Sequence, residues 1–209
     1  MKRLGLAVLV MGLLLYPVAG QAILLTSLQD DHYAQQDSPC VIGYSCGPNL
    51  GLPYTSVPNP TPDINDLFSP EYTVAQITAL VGNTPIIALD INQDGKAETA
   101  ATNLAINAIN VFINGNLTYW LPGSEVVMQT GAGNAVSDYV TYGLNLSALL
   151  ATDKVLFELD YGSGAAPNTD GKEILFLVRS TATQVPEPAA LLLLGLGLVG
   201  LAGVRRFRK

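Results

Sequence analysis

The sequence predicts a mainly β fold, an antiparallel β-sandwich or jelly-roll-like domain with one short helix near residues 70–81. Three observations carry this reading. From Pro85 onward, short apolar runs recur between clusters of Gly, Asn and Asp. No helix-period segments alternate with them, which argues against a parallel α/β sheet. Asn114-Gly115 sits between two apolar runs, the setting of a two-residue hairpin turn whose residues take positive φ.

The chain opens with Lys2 and Arg3, an apolar run from Leu4 to Tyr16, and then small residues. That order is the order of a secretory signal peptide, expected over residues 1–22. A cut after Ala22 places Gly20 and Ala22 at the two small-residue positions, and a cut after Gly20 is the alternative. The apolar run is shorter than the ~20 residues a membrane span needs.

Residues 23–184 carry four basic side chains, Lys96, Lys154, Lys172 and Arg179, against sixteen acidic ones, a net charge of −12. The value of −7 for the whole chain hides this acidity between two basic ends. Phosphate backbones require clustered Lys and Arg, so nucleic acid is excluded as a partner. Divalent cations and water are the natural complements of such a surface.

Residues 23–66 are rich in Pro, Gly, Asn and Asp without a lasting apolar period. They are expected to form an irregular N-terminal arm laid over the domain. Cys40 and Cys46 are the only cysteines, and in an exported chain the pair predicts a disulfide closing a small loop. The β-rich domain is expected over residues 67–184. Its helix is predicted to begin at Ser69-Pro70-Glu71, with a hydroxyl N-cap, proline at the first helical position and an acid in the first turn. Gly82-Asn83 is predicted to end it.

The strands then follow as PIIALDI, INVFI, LTYWL, EVVMQT, VSDYVTYGL, VLFELDY and EILFLVR. Two of the connections echo each other. Residues 89–98 read LDINQDGKAE and residues 159–173 read LDYGSGAAPNTDGKE, which predicts two hairpin-like corners of similar chemistry.

The first corner spaces Asp90, Asn92 and Asp94 as hard oxygen ligands, with Gly95 for a sharp turn, the Lys96 carbonyl and Glu98 beyond. This is the first half of a calcium loop, D-x-N-x-D-G. Position twelve is Ala101 rather than an acid and the flanks read as strands, so it is no EF-hand. Calcium binding here competes with a plain Asp-Gly turn. The same chemistry is written more weakly in Asp160, Asn168, Asp170 and Glu173. Tyr119 and Trp120 form a candidate platform for stacking a sugar ring, against the alternative of ordinary sheet packing. Asn116-Leu-Thr118 and Asn145-Leu-Ser147 match the short N-glycosylation pattern.

The sequence contains no G-x-S-x-G elbow, P-loop, H-E-x-x-H pair or Rossmann glycine fingerprint. His32, the only histidine, lies beside Asp30 and Asp31 and reads as solvated. The protein is therefore expected not to be an enzyme, a hydrolase using paired carboxylates being the remote alternative.

Residues 185–209 read VPEPAALLLLGLGLVGLAGVRRFRK. Residues 189–204 are sixteen Ala, Leu, Gly or Val, barely enough to cross a thin bilayer as a helix, and residues 205–209 are basic except for Phe207. Basic residues beside a span stay cytoplasmic, which puts the acidic domain outside. The segment 185–188, the apolar span and the Arg-rich end together closely resemble the PEP-CTERM sorting signal. That resemblance implies recognition at Pro186, Glu187 and Pro188 by an exosortase, an inner-membrane protease-transpeptidase of Gram-negative, exopolysaccharide-producing bacteria. It further implies removal of the tail and delivery to the surface or matrix, where exopolysaccharide is a partner. Two prolines flanking Glu187 hold an extended segment with few backbone donors, a shape suited to a protease groove. The expected function is a structural or adhesive matrix protein, with a calcium-assisted carbohydrate-binding module as the alternative.

Overall fold

A computed structural model describes residues 20–28, 33–43, 46, 50–57, 64–92, 103–129, 136–162 and 173–180. The expected signal-peptide core, the second half of the first Asp-Gly corner, the middle of the second and the tail from residue 181 lie outside the described residues.

The strands are β1 (Gln21–Ala22), β2 (Leu25–Ser27), β3 (Cys40–Gly43), β4 (Thr55–Ser56), β5 (Ile64–Phe68), β6 (Tyr72–Thr73) and β7 (Ile86–Asp90). After them come β8 (Asn103–Ile113), β9 (Asn116–Trp120), β10 (Glu125–Met128), β11 (Tyr139–Thr141), β12 (Lys154–Tyr161) and β13 (Ile174–Val178). They make two sheets. The first runs β1-β9-β8-β12-β5, with β10 also on β8 and β6 also on β12. The second runs β2-β11-β7-β13-β3-β4. Pairing is antiparallel except for two short parallel pairs, β1 with β9 and β3 with β4.

One apolar core lies between the sheets. The second sheet contributes Ile42, Ile87, Leu89, Leu175 and Leu177; the first contributes Leu104, Ile106, Ile109, Val111, Val155, Phe157 and Leu159. The alternate residues of the second sheet are buried as well. Ile86, Ala88, Ile174, Phe176 and Val178 form a separate cluster with Leu28, Cys40 and Cys46, and Tyr33 and Tyr54 pack against it. Burial on both faces explains why β7 and β13 are continuous apolar runs without alternation. The segment expected to be irregular supplies this outer cover, and it also supplies β2, β3 and β4 to the second sheet.

The hairpin forms at Asn114-Gly115, with φ of 50° and 78°, joining β8 to β9. Asn114 secures it: its Oδ1 accepts the Lys154 N–H at 2.8 Å and its Nδ2 donates to Asp153 Oδ1 at 3.0 Å.

The helix starts later than expected. Helix α1 spans Val74–Val81 and its N-cap is Thr73, in a capping box with Gln76. Ser69 is taken by the sheet instead: its N–H donates to the Phe157 carbonyl at 2.9 Å and its Oγ accepts the Phe157 N–H at 3.0 Å. Tyr72 likewise pairs with Val155 as strand and is wholly buried, its ring 6.2 Å from that of Phe157. Gly82 closes the helix at φ 80°, and the Arg179 guanidinium donates to the Leu80 carbonyl at 2.7 Å.

Candidate functional site

Both Asp-Gly corners cross between the sheets and neither is a hairpin. The first leaves β7 in the second sheet and enters β8 in the first; the second leaves β12 in the first sheet and enters β13 in the second. The strands on either side of each corner pair with other strands and not with each other, which local turn chemistry cannot reveal. The corners nevertheless share one end of the fold. Asp90 lies across the ladder from Ile174, next to Glu173, while Tyr161 lies across from Ile106.

Asp90 and Glu173 are buried at the feet of these corners, at 1% and 0% exposure. Asp160 sits on β12, where its carboxylate accepts the Asn107 amide at 3.0 Å. Asn92 is half-buried, and Asp94, Lys96, Glu98, Asn168 and Asp170 lie outside the described residues. Among the described residues, no group of three or more His, Cys, Asp or Glu is arranged to hold a metal ion.

A third buried acid at this end, Asp138, escaped the sequence reading. Its Oδ2 accepts the Ile91 N–H at 2.8 Å, its own N–H donates to the Leu89 carbonyl at 2.9 Å, and its carbonyl accepts the Leu28 N–H at 2.8 Å. The available signal was a charged residue inside the apolar run VSDYVTYGL, which a half-buried strand places inward only with a partner.

Tyr119 and Trp120 occupy different surroundings. Tyr119 is 5% exposed, and its hydroxyl donates to the Asn145 carbonyl at 3.1 Å while accepting the Asn145 N–H at 3.3 Å. Trp120 is half-buried, with Gly20 so close that an added Cβ would clash with its ring. Cys40 and Cys46 form the disulfide, their Cα atoms 6.1 Å apart, within the outer apolar cluster.

The remaining site is the tail, where Val-Pro-Glu-Pro, an apolar span and a basic end follow in order. Residues 184–209 match the family model of this arrangement. The chain carries a PEP-CTERM protein-sorting motif. No curated protein matches the chain, and no solved structure does. The PEP-CTERM motif implies an exported, membrane-anchored precursor and recognition by an exosortase. Pro186, Glu187 and Pro188 fall inside the matched range, outside the described residues. Among the described residues, no helix is long and apolar enough to cross a membrane.

Proposed function

We propose that this is a non-enzymatic surface or matrix protein of a Gram-negative bacterium, with a structural or adhesive role in exopolysaccharide or biofilm. A signal peptide starts its export. The apolar span 189–204 then holds the precursor in the inner membrane, and an exosortase-like protease cuts at Pro186–Pro188. The domain, acidic and stapled by its disulfide, is what reaches the surface. The observation that carries this reading is the match of residues 184–209 to the PEP-CTERM motif. The extended, donor-poor Pro-Glu-Pro segment supports direct recognition by the protease. Replacing Glu187 with Ala tests it by cell fractionation. The variant should stay in the inner-membrane fraction, and release equal to wild type would contradict the role of the motif.

Calcium is a second element of the proposal. Asp90 and Ile174 pair directly, so the first Asx-rich corner leaves β7 beside β13, the strand that the second corner enters, with Glu173 next to Ile174. One Ca²⁺ drawing on Asp90, Asn92, Asp94, the Lys96 carbonyl and Glu98 would offset part of the charge of the domain.

A further inference from the structure

A cleft of about 660 Å³ opens where the β8–β9 turn faces the segment after β11. Asn116, Leu117, Thr118 and Tyr119 line one side, and Asn145 and Leu149 the other. Its size is that of a small-molecule site, roughly 300–1,000 Å³.

The composition of its wall is unusual for this chain. Acidic residues outnumber basic ones sixteen to four between residues 23 and 184, yet every side chain lining the cleft is uncharged. The wall alternates amides with apolar groups. Leu117 is 47% exposed at the rim, and Leu149 is partly buried against the core. Tyr119 ties the two sides together, because its hydroxyl holds the Asn145 backbone by both N–H and carbonyl. The cleft is thereby preformed, and a ligand need not pay for ordering it.

The two N-glycosylation-like triplets meet here, and local turn bonding takes up the Thr118 hydroxyl and the Asn145 side-chain oxygen. Thr118 Oγ1 donates to the Asn116 carbonyl at 2.9 Å, and Asn145 Oδ1 accepts the Ser147 N–H at 3.0 Å. What is left over points into chemistry rather than folding. Among the described residues, the Asn145 Nδ2 donors and the Asn116 Oδ1 acceptor have no hydrogen-bond partner. Both side chains are exposed at the cleft.

From this combination we infer that the cleft binds a neutral saccharide. A pyranose ring presents an apolar C–H face bounded by hydroxyl groups that both donate and accept. Leu117 and Leu149 match the face, and the Asn145 donors and Asn116 acceptor match the hydroxyls. An anionic sugar finds no cationic side chain in the wall and meets the acidic field of the domain. The site lies apart from the Trp120 face and from the Asp-Gly corners. Binding is measured on purified protein, so its failure leaves the sorting proposal untouched, and failure of sorting leaves the cleft untouched.

The test uses ¹⁵N-labelled exported protein titrated with cellopentaose, maltopentaose and mannopentaose, with a galacturonate oligomer as the anionic control. At least one neutral oligomer should give saturable shifts confined to residues 116–119 and 145–149. Asn145→Asp keeps the acceptor for the Ser147 N–H and deletes the donors, and Asn116→Ala deletes the acceptor. Each should weaken binding about tenfold, with the melting temperature unchanged in Asn145→Asp and slightly lowered in Asn116→Ala, which also loses the long bonds from its Nδ2 to the Ile113 and Asn114 carbonyls. The inference is overturned if no neutral oligomer shifts these signals up to roughly 10 mM, a concentration at which even millimolar affinity registers. It is equally overturned if the anionic oligomer binds as well, or if both variants bind like wild type.

Discussion

The carboxylate of Asp138 accepts the backbone N–H of Ile91 at 2.8 Å, across 47 residues of sequence. Ile91 is the first residue beyond β7, so this bond fixes where the strand ends and the acidic corner begins. Both residues are buried. Bonds to a buried charged group contribute about 1.5–3 kcal/mol, and deleting the acceptor strands the amide. Asp138→Ala should lower unfolding stability in urea by about 2–3 kcal/mol, and Asp138→Asn by less, because one oxygen remains. Equal losses in both variants, or none, would show that the carboxylate is not the anchor.

Alkaline pH should weaken the fold through Tyr72. Burial pushes its hydroxyl well above the usual phenol range, only partly opposed by a hydrogen bond with Ser69. In the unfolded chain the phenol loses its proton near pH 10, while in the folded chain it keeps it. Stability from this group is therefore complete below about pH 10 and falls by about 1.4 kcal/mol per pH unit above it. Tyr72→Phe should flatten that slope by one proton. It should also cost about 1 kcal/mol at neutral pH from the lost bond to the Pro53 carbonyl. Urea midpoints measured from about pH 9 to 11 decide this, and an unchanged slope would contradict it.

The mature N-terminus should be Gln21. β1 pairs Gln21 with Tyr119 and Ala22 with Trp120, and the Ile23 N–H donates to the Trp120 carbonyl at 2.8 Å. A cut after Gly20 keeps this strand and a cut after Ala22 discards it. N-terminal sequencing of exported protein should begin at Gln21; a start at Ile23 would show that the fold dispenses with β1.

Calcium should raise the melting temperature by several degrees when it is present about a hundredfold above its Kd, a linkage of about 2.7 kcal/mol. Screening of a domain with charge −12 would respond about equally to magnesium at matched ionic strength. The expected result is a rise specific to calcium and abolished by Asp94→Ala. Equal shifts with both ions would leave Asp94-Gly95 as a turn.

Features set by local chemistry were legible in the sequence. Asn114-Gly115 reads as a hairpin because only a few residue types accept two positive φ values in succession. The apolar runs read as strands because β7 and β13 are covered on both faces. Features set by distant partners were not legible. Ser69 looks like a helix cap until Phe157, 88 residues away, takes both its amide and its hydroxyl. The Asp-Gly corners look like hairpins because a turn motif carries no record of which sheet the next strand joins. The same holds for the sites. The sorting motif is contiguous and was readable, whereas the cleft is assembled from Asn116–Tyr119 and Asn145–Leu149, brought together by the fold.

The most direct test of the account is the mass of the mature C-terminus. Protein collected from the cell surface or medium is digested, and its C-terminal peptide identified by mass spectrometry. Processing at the PEP-CTERM motif predicts a chain ending near Pro186–Pro188, without residues 189–209. Surface-released protein that still ends in Arg205-Arg206-Phe207-Arg208-Lys209 would contradict it.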